Sequence, residues 1–329
     1  MTPTGAAAAR GTGLVTLGET MAALSAPGVG PLRHQRSLDL HVGGAESNVA
    51  IGVRRLGGTA TWIGRVGDDE LGDLVLAQLR GEGVDVSHAM RDPGAPTGLM
   101  VKSRRTESVG RVAYYRRGSA GSRLCPADVP VDAVRTAGVL HLTGITPALS
   151  GTARDAVRVA TASAREAGVP VSLDVNHRAA LWTAAEAGAV LRDLLPEVDV
   201  LFAGPQEAQL LGADGDPALT PQRAAAQLAA AGPAQVVVKL GARGAVAHVD
   251  GEPFEVPAHL VRAVDPVGAG DAFVAGYLAD LLEGRPAVDR LRTAAACGAF
   301  AVTVPGDWEG LPTRRDLGLL DAESGTVVR

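Results

Sequence analysis

Cysteine is scarce in the 329-residue chain: Cys125 and Cys297 stand far apart and form no C-x-x-C pair. That excludes a disulfide scaffold and a thiolate zinc site. Lysine is as rare. Of 31 basic residues only Lys102 and Lys239 are lysines, and both follow valine, so the Gly-Lys-Ser/Thr of a P-loop is missing. Aromatic residues make 3% of the chain, which leaves the core to Ala, Val and Leu. No apolar run approaches membrane-spanning length. G-x-G-x-x-G, G-x-S-x-G and H-E-x-x-H are all absent, which weakens dinucleotide binding and removes the nucleophile elbow and the helical zinc signature. The seven histidines show no ligand-like spacing. A net charge of −5 argues against a general nucleic-acid binder. The N-terminus lacks the longer apolar core of a secretory signal, and residues 1–12 read as a flexible extension. A soluble, reducing, cytoplasmic setting is the expectation, with no membrane and no nucleic acid as partner.

What is present is apolar and periodic. Hydrophobic residues make 46% and charged residues 20%, enough for a sizeable core. Leu14 to Leu17, Ala60 to Ile63, Val139 to Leu142, Val171 to Leu173, Val198 to Phe202 and Val236 to Leu240 read as buried strands. Glu70 to Arg80, Gly151 to Ala167, Thr183 to Leu195 and Pro221 to Ala231 read as helices between them. Near-continuous apolar strands alternating with helices imply an α/β domain with a parallel sheet covered on both faces. One domain over 1–329 is the simpler count. Two segments break the alternation, Ala23 to Val42 and Thr97 to Arg117, and read as strands of a small solvent-facing sheet. The second is basic: from Lys102 to Arg123 seven basic residues accompany one acid, Glu107. A solvated hairpin is the plainer reading of that charge.

Two motifs carry chemistry. Asp265-Pro266-Val267-Gly268-Ala269-Gly270-Asp271 runs directly into a helical pattern formed by Phe273, Val274, Tyr277, Leu278, Leu281 and Leu282. Its glycines therefore sit at a helix N-terminus, where unpaired N–H groups and the helix dipole make an anion site. Asp271 falls in the first turn, beside that anion. A carboxylate there fits a general base in phosphoryl transfer, and the competing reading is a side chain that only complements the dipole. The second motif is Gly43-Gly44-Ala45-Glu46-Ser47-Asn48-Val49-Ala50, where adjacent glycines admit a ligand and Asn48 offers a donor and an acceptor to a polyol. An ordinary strand-to-helix turn is its alternative.

In this order, near opposite ends of the domain, the pair resembles the two signatures of the ribokinase-like (PfkB) family of carbohydrate kinases, from Val15 to about Leu319. The resemblance implies a three-layer α/β sandwich with a mostly parallel central sheet and a small β-sheet lid, formed by approximately 23–42 and 97–117. It implies Asp271 as catalytic base, an anion hole of Gly268, Ala269 and Gly270, and sugar contacts from Gly44, Ala45 and Asn48. ATP and Mg2+ come with it, while a monovalent cation and a homo-oligomer stay open.

Two further stretches narrow the substrate. In Val171 to Trp182, VSLDVNHRAALW, Arg178 leaves the end of a buried strand, where ligands of α/β sheets bind. In Tyr114-Tyr115-Arg116-Arg117-Gly118-Ser119-Ala120, Arg116 lies in the basic lid. Two arginines from separate segments can clamp a carboxylate, which a neutral sugar would leave unpaired. The competing reading pairs Arg178 with Asp174 or Glu186 and leaves Arg116 exposed. These stretches, with Leu142 to Leu149 and its Ile145, are similar to the 2-keto-3-deoxygluconate kinases of that family. The resemblance then has Tyr114 and Arg116 close over the sugar, Arg178 grip its carboxylate, and the 6-hydroxyl point at Asp271. A fructokinase, a 5-keto-2-deoxygluconate kinase or an inactive sensor of sugar or nucleotide are the alternatives. On the nucleotide side Lys239, Gly241 and Gly244 resemble the family's phosphate-proximal turn, and Lys239 has no evident structural partner in its apolar strand. The family's N-x-x-E element falls at Gly204 to Glu207, so only Glu207, linked to magnesium through water, carries over. Met100 stands where relatives present a tyrosine, a departure expected to loosen sugar selectivity.

Overall fold

The computed structural model describes residues 11–106, 110–212 and 219–321. The expected extension over 1–12 therefore falls almost entirely outside the described residues, as do residues 107–109 of the second lid segment. The first strands are β1 (Leu14–Leu17), β2 (Met21–Val29), β3 (Asp39–Gly43), β4 (Ala60–Ile63), β5 (Arg65–Gly67), β6 (Met90–Asp92) and β7 (Leu99–Arg104). They continue as β8 (Gly110–Tyr115), β9 (Val139–Thr143), β10 (Val171–Asp174), β11 (Val200–Ala203), β12 (Gln235–Lys239), β13 (Ala245–Val249) and β14 (Glu252–Val256). The helices are α1 (Ala45–Arg55), α2 (Glu70–Gly81), α3 (Val131–Arg135), α4 (Thr146–Leu149) and α5 (Gly151–Glu166). After them come α6 (Ala184–Leu194), α7 (Pro205–Leu210), α8 (Pro221–Ala229), α9 (Ala269–Leu282) and α10 (Ala287–Ala301).

An eight-stranded sheet runs in the order β14-β13-β12-β11-β10-β9-β1-β4. It is parallel from β12 to β4, and β13 and β14 close one edge antiparallel. A short turn over Gly241–Arg243 joins β12 to β13, too short for a crossover helix, so the pair has to be antiparallel. Buried side chains alternate between two cores. Val200 and Phe202 pack into one with α1, α9 and α10, while Leu201 and Ala203 pack into the other with α5, α6 and α8. The period of two places helices on both faces, giving three layers.

Local signals match the helix ends. Ser150 caps α5 by accepting the Ala153 amide, and Thr183 with Glu186 forms a capping box on α6. Helix α9 lacks a polar face: Asp271 through Asp280 are all buried, because it lies between α1 and α10. A second sheet, in the order β3-β2-β7-β8, stands apart from the first. Its apolar face gathers Met21, Ala23 and Met100, with Val112 packed against them. No helix among the described residues is long and apolar enough to cross a membrane.

Candidate active site

The carboxyl ends of β1, β9, β10, β11 and β12 open into one cavity of about 380 Å³, roofed by the small sheet and closed at one side by the start of α9. Gly44, Ala45, Asn48, Tyr114, Arg116, Ile145, Arg178, Glu207, Lys239, Gly268, Gly270 and Asp271 all line it. Residues more than 220 positions apart in sequence thus meet in one cleft, off the strand ends where open α/β sheets bind ligands.

Asp271 is the third residue of α9 and is buried. Its Oδ2 accepts a bond from Asn48 Nδ2 at 2.8 Å and its Oδ1 a longer one from Asn176 Nδ2 at 3.4 Å. Burial raises its pKa above the ordinary carboxylate range, against the Asn48 bond and the charges of Arg178 and Lys239. Asn48, expected to serve the sugar, lines the cleft and gives one of its two amide N–H donors to Asp271, while its Oδ1 faces the Gly44 amide at 3.5 Å.

The anion hole has a geometric cause. Gly268 caps α9 in the left-handed region at φ 76°, and a Cβ on it would lie 1.8 Å from the Asp307 carbonyl oxygen. Only glycine fits that turn. The Ala269 amide, expected to join them, donates to the Pro266 carbonyl at 3.4 Å, while the amides of Gly268, Gly270 and Asp271 make no hydrogen bond among the described residues, which leaves them for an anion.

Charge pairing in the cleft departs from expectation at two places. Lys239, read as lacking a structural partner, donates to both oxygens of Asp174 at 2.7 and 2.8 Å, bridging β12 to β10. Burial lowers its pKa, but the Asp174 and Glu207 carboxylates outweigh that and hold the ammonium charged. Arg116, expected to be free for a carboxylate, is 8% exposed and gives Nε and Nη2 to Glu19 Oε2 at 2.7 and 2.6 Å. Ser119 Oγ bonds the other oxygen of Glu19. Most of the Arg116 fork and its charge are therefore taken inside the protein, and Tyr114 stacks on it with the guanidinium 5.7 Å from the ring centre. Arg178 is different. Asp174 goes to Lys239 and Glu186 to the cap of α6, so neither forms the pairing weighed for Arg178. Arg178 is exposed at the rim and makes no ion pair among the described residues.

Glu207 accepts the His177 amide at 2.8 Å and the Gly204 amide at 2.6 Å, one on each oxygen. Among the described residues no group of three or more His, Cys, Asp or Glu is arranged to hold a metal ion. The donors present suit a Mg2+ that arrives on phosphates with its own water, and Glu207 would reach it through that water.

A second cavity of about 440 Å³ adjoins the first beyond Lys239, Pro266 and Gly270. Gly241, Gly244 and Ala269 line it, as do Phe273, Ala295, Gly298, Ala299 and Val302. Its apolar wall, formed where small residues of α10 leave a groove beside α9, suits a flat base with phosphates aimed at the α9 N-terminus. Sequence reasoning missed that wall. It also missed Asn176, whose φ of 40° is rare outside glycine, and Asp307, Glu19 and Lys102. The run of small residues from Ala294 to Ala299 was the one available signal for the wall.

Comparisons with known proteins agree with the geometry. The profile of the pfkB family carbohydrate kinases matches residues 12–314. A 2-dehydro-3-deoxygluconokinase of Bacillus subtilis is 39% identical over 95% of this chain and 96% of its own. One of Thermoproteus tenax is 42% identical over 92% of each chain. A 2-dehydro-3-deoxygalactonokinase of Haloferax volcanii is 37% identical over 89% of this chain and 92% of its own. A ribokinase II-type protein of E. coli, solved in complex with ATP and Mg2+, superposes with a TM-score of 0.85 at 28% identity, covering 94% of this chain and 98% of its own.

Proposed function

The chain belongs to the pfkB family of carbohydrate kinases, and from that membership we propose that it transfers the γ-phosphoryl group of ATP to the 6-hydroxyl of 2-keto-3-deoxygluconate (2-dehydro-3-deoxy-D-gluconate). Asp271 takes the proton of the 6-hydroxyl as that oxygen attacks phosphorus in line and ADP departs. The free amides of Gly268, Gly270 and Asp271 meet the charge on the moving phosphoryl group. Mg2+, carried by the ATP phosphates, neutralises part of their charge, and Glu207 is the residue that would hold its water. A monovalent cation is tested by adding potassium to the assay. The small sheet acts as a lid that excludes water during transfer.

The observation that carries the substrate assignment is the pairing pattern of the cleft. Arg116, Lys239 and Lys102 each have an acidic partner, while Arg178 at the rim has none. A guanidinium left unpaired beside the sugar site calls for a carboxylate on the ligand, which fructose and ribose lack. The C4 epimer, 2-keto-3-deoxygalactonate, is a second reading, favoured by the likeness to the Haloferax volcanii relative. The test is ADP release with both epimers, 5-keto-2-deoxygluconate, fructose and ribose, with 31P NMR of the product. A keto-acid giving a 6-phosphate supports the proposal. Fructose or ribose turning over faster than every keto-acid overturns it, and no turnover with any sugar favours the sensor reading.

A further inference from the structure

The chain uses arginine at nearly every basic position, yet both of its lysines, Lys102 and Lys239, line the same cleft. Lysine supplies a compact point charge that titrates near neutrality when buried, which arginine does not. Lys239 is explained by Asp174. Lys102 stands on the roof. In the register of β7 on β8, Met100 faces Tyr114 and Lys102 faces Val112, and the pleat turns all four side chains to the cleft. The Met100–Tyr114 row lies at the Arg116 end. The Lys102–Val112 row lies at the other end, over Pro266 and Val267 of the anion-hole turn, where it also borders a neighbouring cavity. There Lys102 Nζ pairs with Asp307 Oδ1, and the main chain of Asp307 is packed directly on Gly268. A buried ion pair is weak evidence for stability, so a purely structural role explains its retention poorly.

We propose that Lys102 is a positioning residue for phosphoryl transfer: through Asp307 it fastens the small sheet to the anion-hole turn and so holds that turn where the phosphoryl group would pass. The inference rests on the kinase reading above. Its charged neighbours are Asp307, Asp265, Glu309 and Asp271, with His41 on β3 and Arg104 on its own strand β7. Burial lowers the Lys102 pKa to about 8, against the fields of Asp265, Glu309 and Asp271. Burial also lowers that of His41, which stays neutral over the same range. The ammonium form is the one that pairs with Asp307, so kcat falls where alkaline pH removes that proton.

The test is kcat against pH for wild type, Lys102→Met and Lys102→Arg, on whichever sugar the wild type phosphorylates best. Lys102→Met is expected to lower kcat by about 10²-fold, the usual loss when reacting groups are misplaced by about 1 Å, with the KM for ATP changed less than about threefold. Lys102→Arg is expected to restore kcat to within about tenfold and to lose the alkaline fall, because a guanidinium stays charged. Lys102→Met within twofold of wild type, or an unchanged alkaline fall in Lys102→Arg, overturns the proposal. Wild-type selectivity among sugars decides the substrate reading separately, because the Lys102 result is a ratio to wild type on the same sugar.

Discussion

As the proposed base, Asp271 would face two demands that pull apart, catalysis and stability. Its carboxylate is buried, and two amide groups and two nearby cations do not fully offset the cost of ionising it there, so its pKa stays raised. A general base works deprotonated, so the rate is expected to fall as pH drops through that raised pKa, above the ordinary carboxylate range. The linkage has the opposite sign for stability. The folded protein holds this proton more tightly than the unfolded chain, so stability falls as pH rises from the unfolded pKa to the folded one, and the cost is fully gone only below the unfolded pKa. Asp271→Asn is therefore expected to lower kcat by about 10²–10⁴-fold while sugar binding persists and the melting temperature at pH 7 rises. Calorimetric titration and thermal unfolding check both, and unchanged turnover would remove Asp271 as the base. The place of Asp271 in the cleft was readable from sequence because a carboxylate after a glycine turn is a local pattern. Glu19, which takes up the Arg116 charge from 97 positions away, has no local pattern to announce it.

At the scale of elements, the start of α9 is the part on which most else depends. The left-handed Gly268 makes the turn, the turn frees the amides, and Asp307 packs where a side chain would stand. Gly268→Ala is expected to cost stability by more than about 1 kcal/mol, since both the backbone angle and the 1.8 Å approach must relax. It should lower kcat more than it raises the KM for sugar, because the displaced amides serve the phosphoryl group. Thermal unfolding with steady-state kinetics tests this, and a fully active, equally stable variant would contradict the assigned anion hole. Strands and helices of the main layer were legible because their periods of two and 3.6 are written in short stretches. The β13–β14 edge was not read, nor was the groove between α9 and α10. The groove depends on how two helices pack, and small residues in sequence say only that space is available.

For the molecule as a whole, one sheet positions chemistry and the other covers it. Strand ends from the main sheet bring Ile145, Asp174, Arg178, Glu207 and Lys239 to a common floor, and the small sheet sets Met100, Lys102 and Tyr114 above. Basic residues were visibly concentrated around the second lid segment, but their meaning was not, since Arg116 and Lys102 turn out to be paired within the protein. Pairing is a property of three-dimensional neighbours, and it leaves Arg178 without an ion-pair partner among the described residues, the cation proposed to select an acid. The most direct measurement is the ratio of kcat/KM for 2-keto-3-deoxygluconate over fructose, in wild type and in Arg178→Lys. The account predicts a strong preference for the acid in wild type. It predicts a fall in that ratio of about 10–100-fold in the variant, the worth of a charge-assisted bond, with the KM for ATP unchanged. A ratio that stays the same when Arg178 is replaced, or that favours fructose from the start, would contradict it.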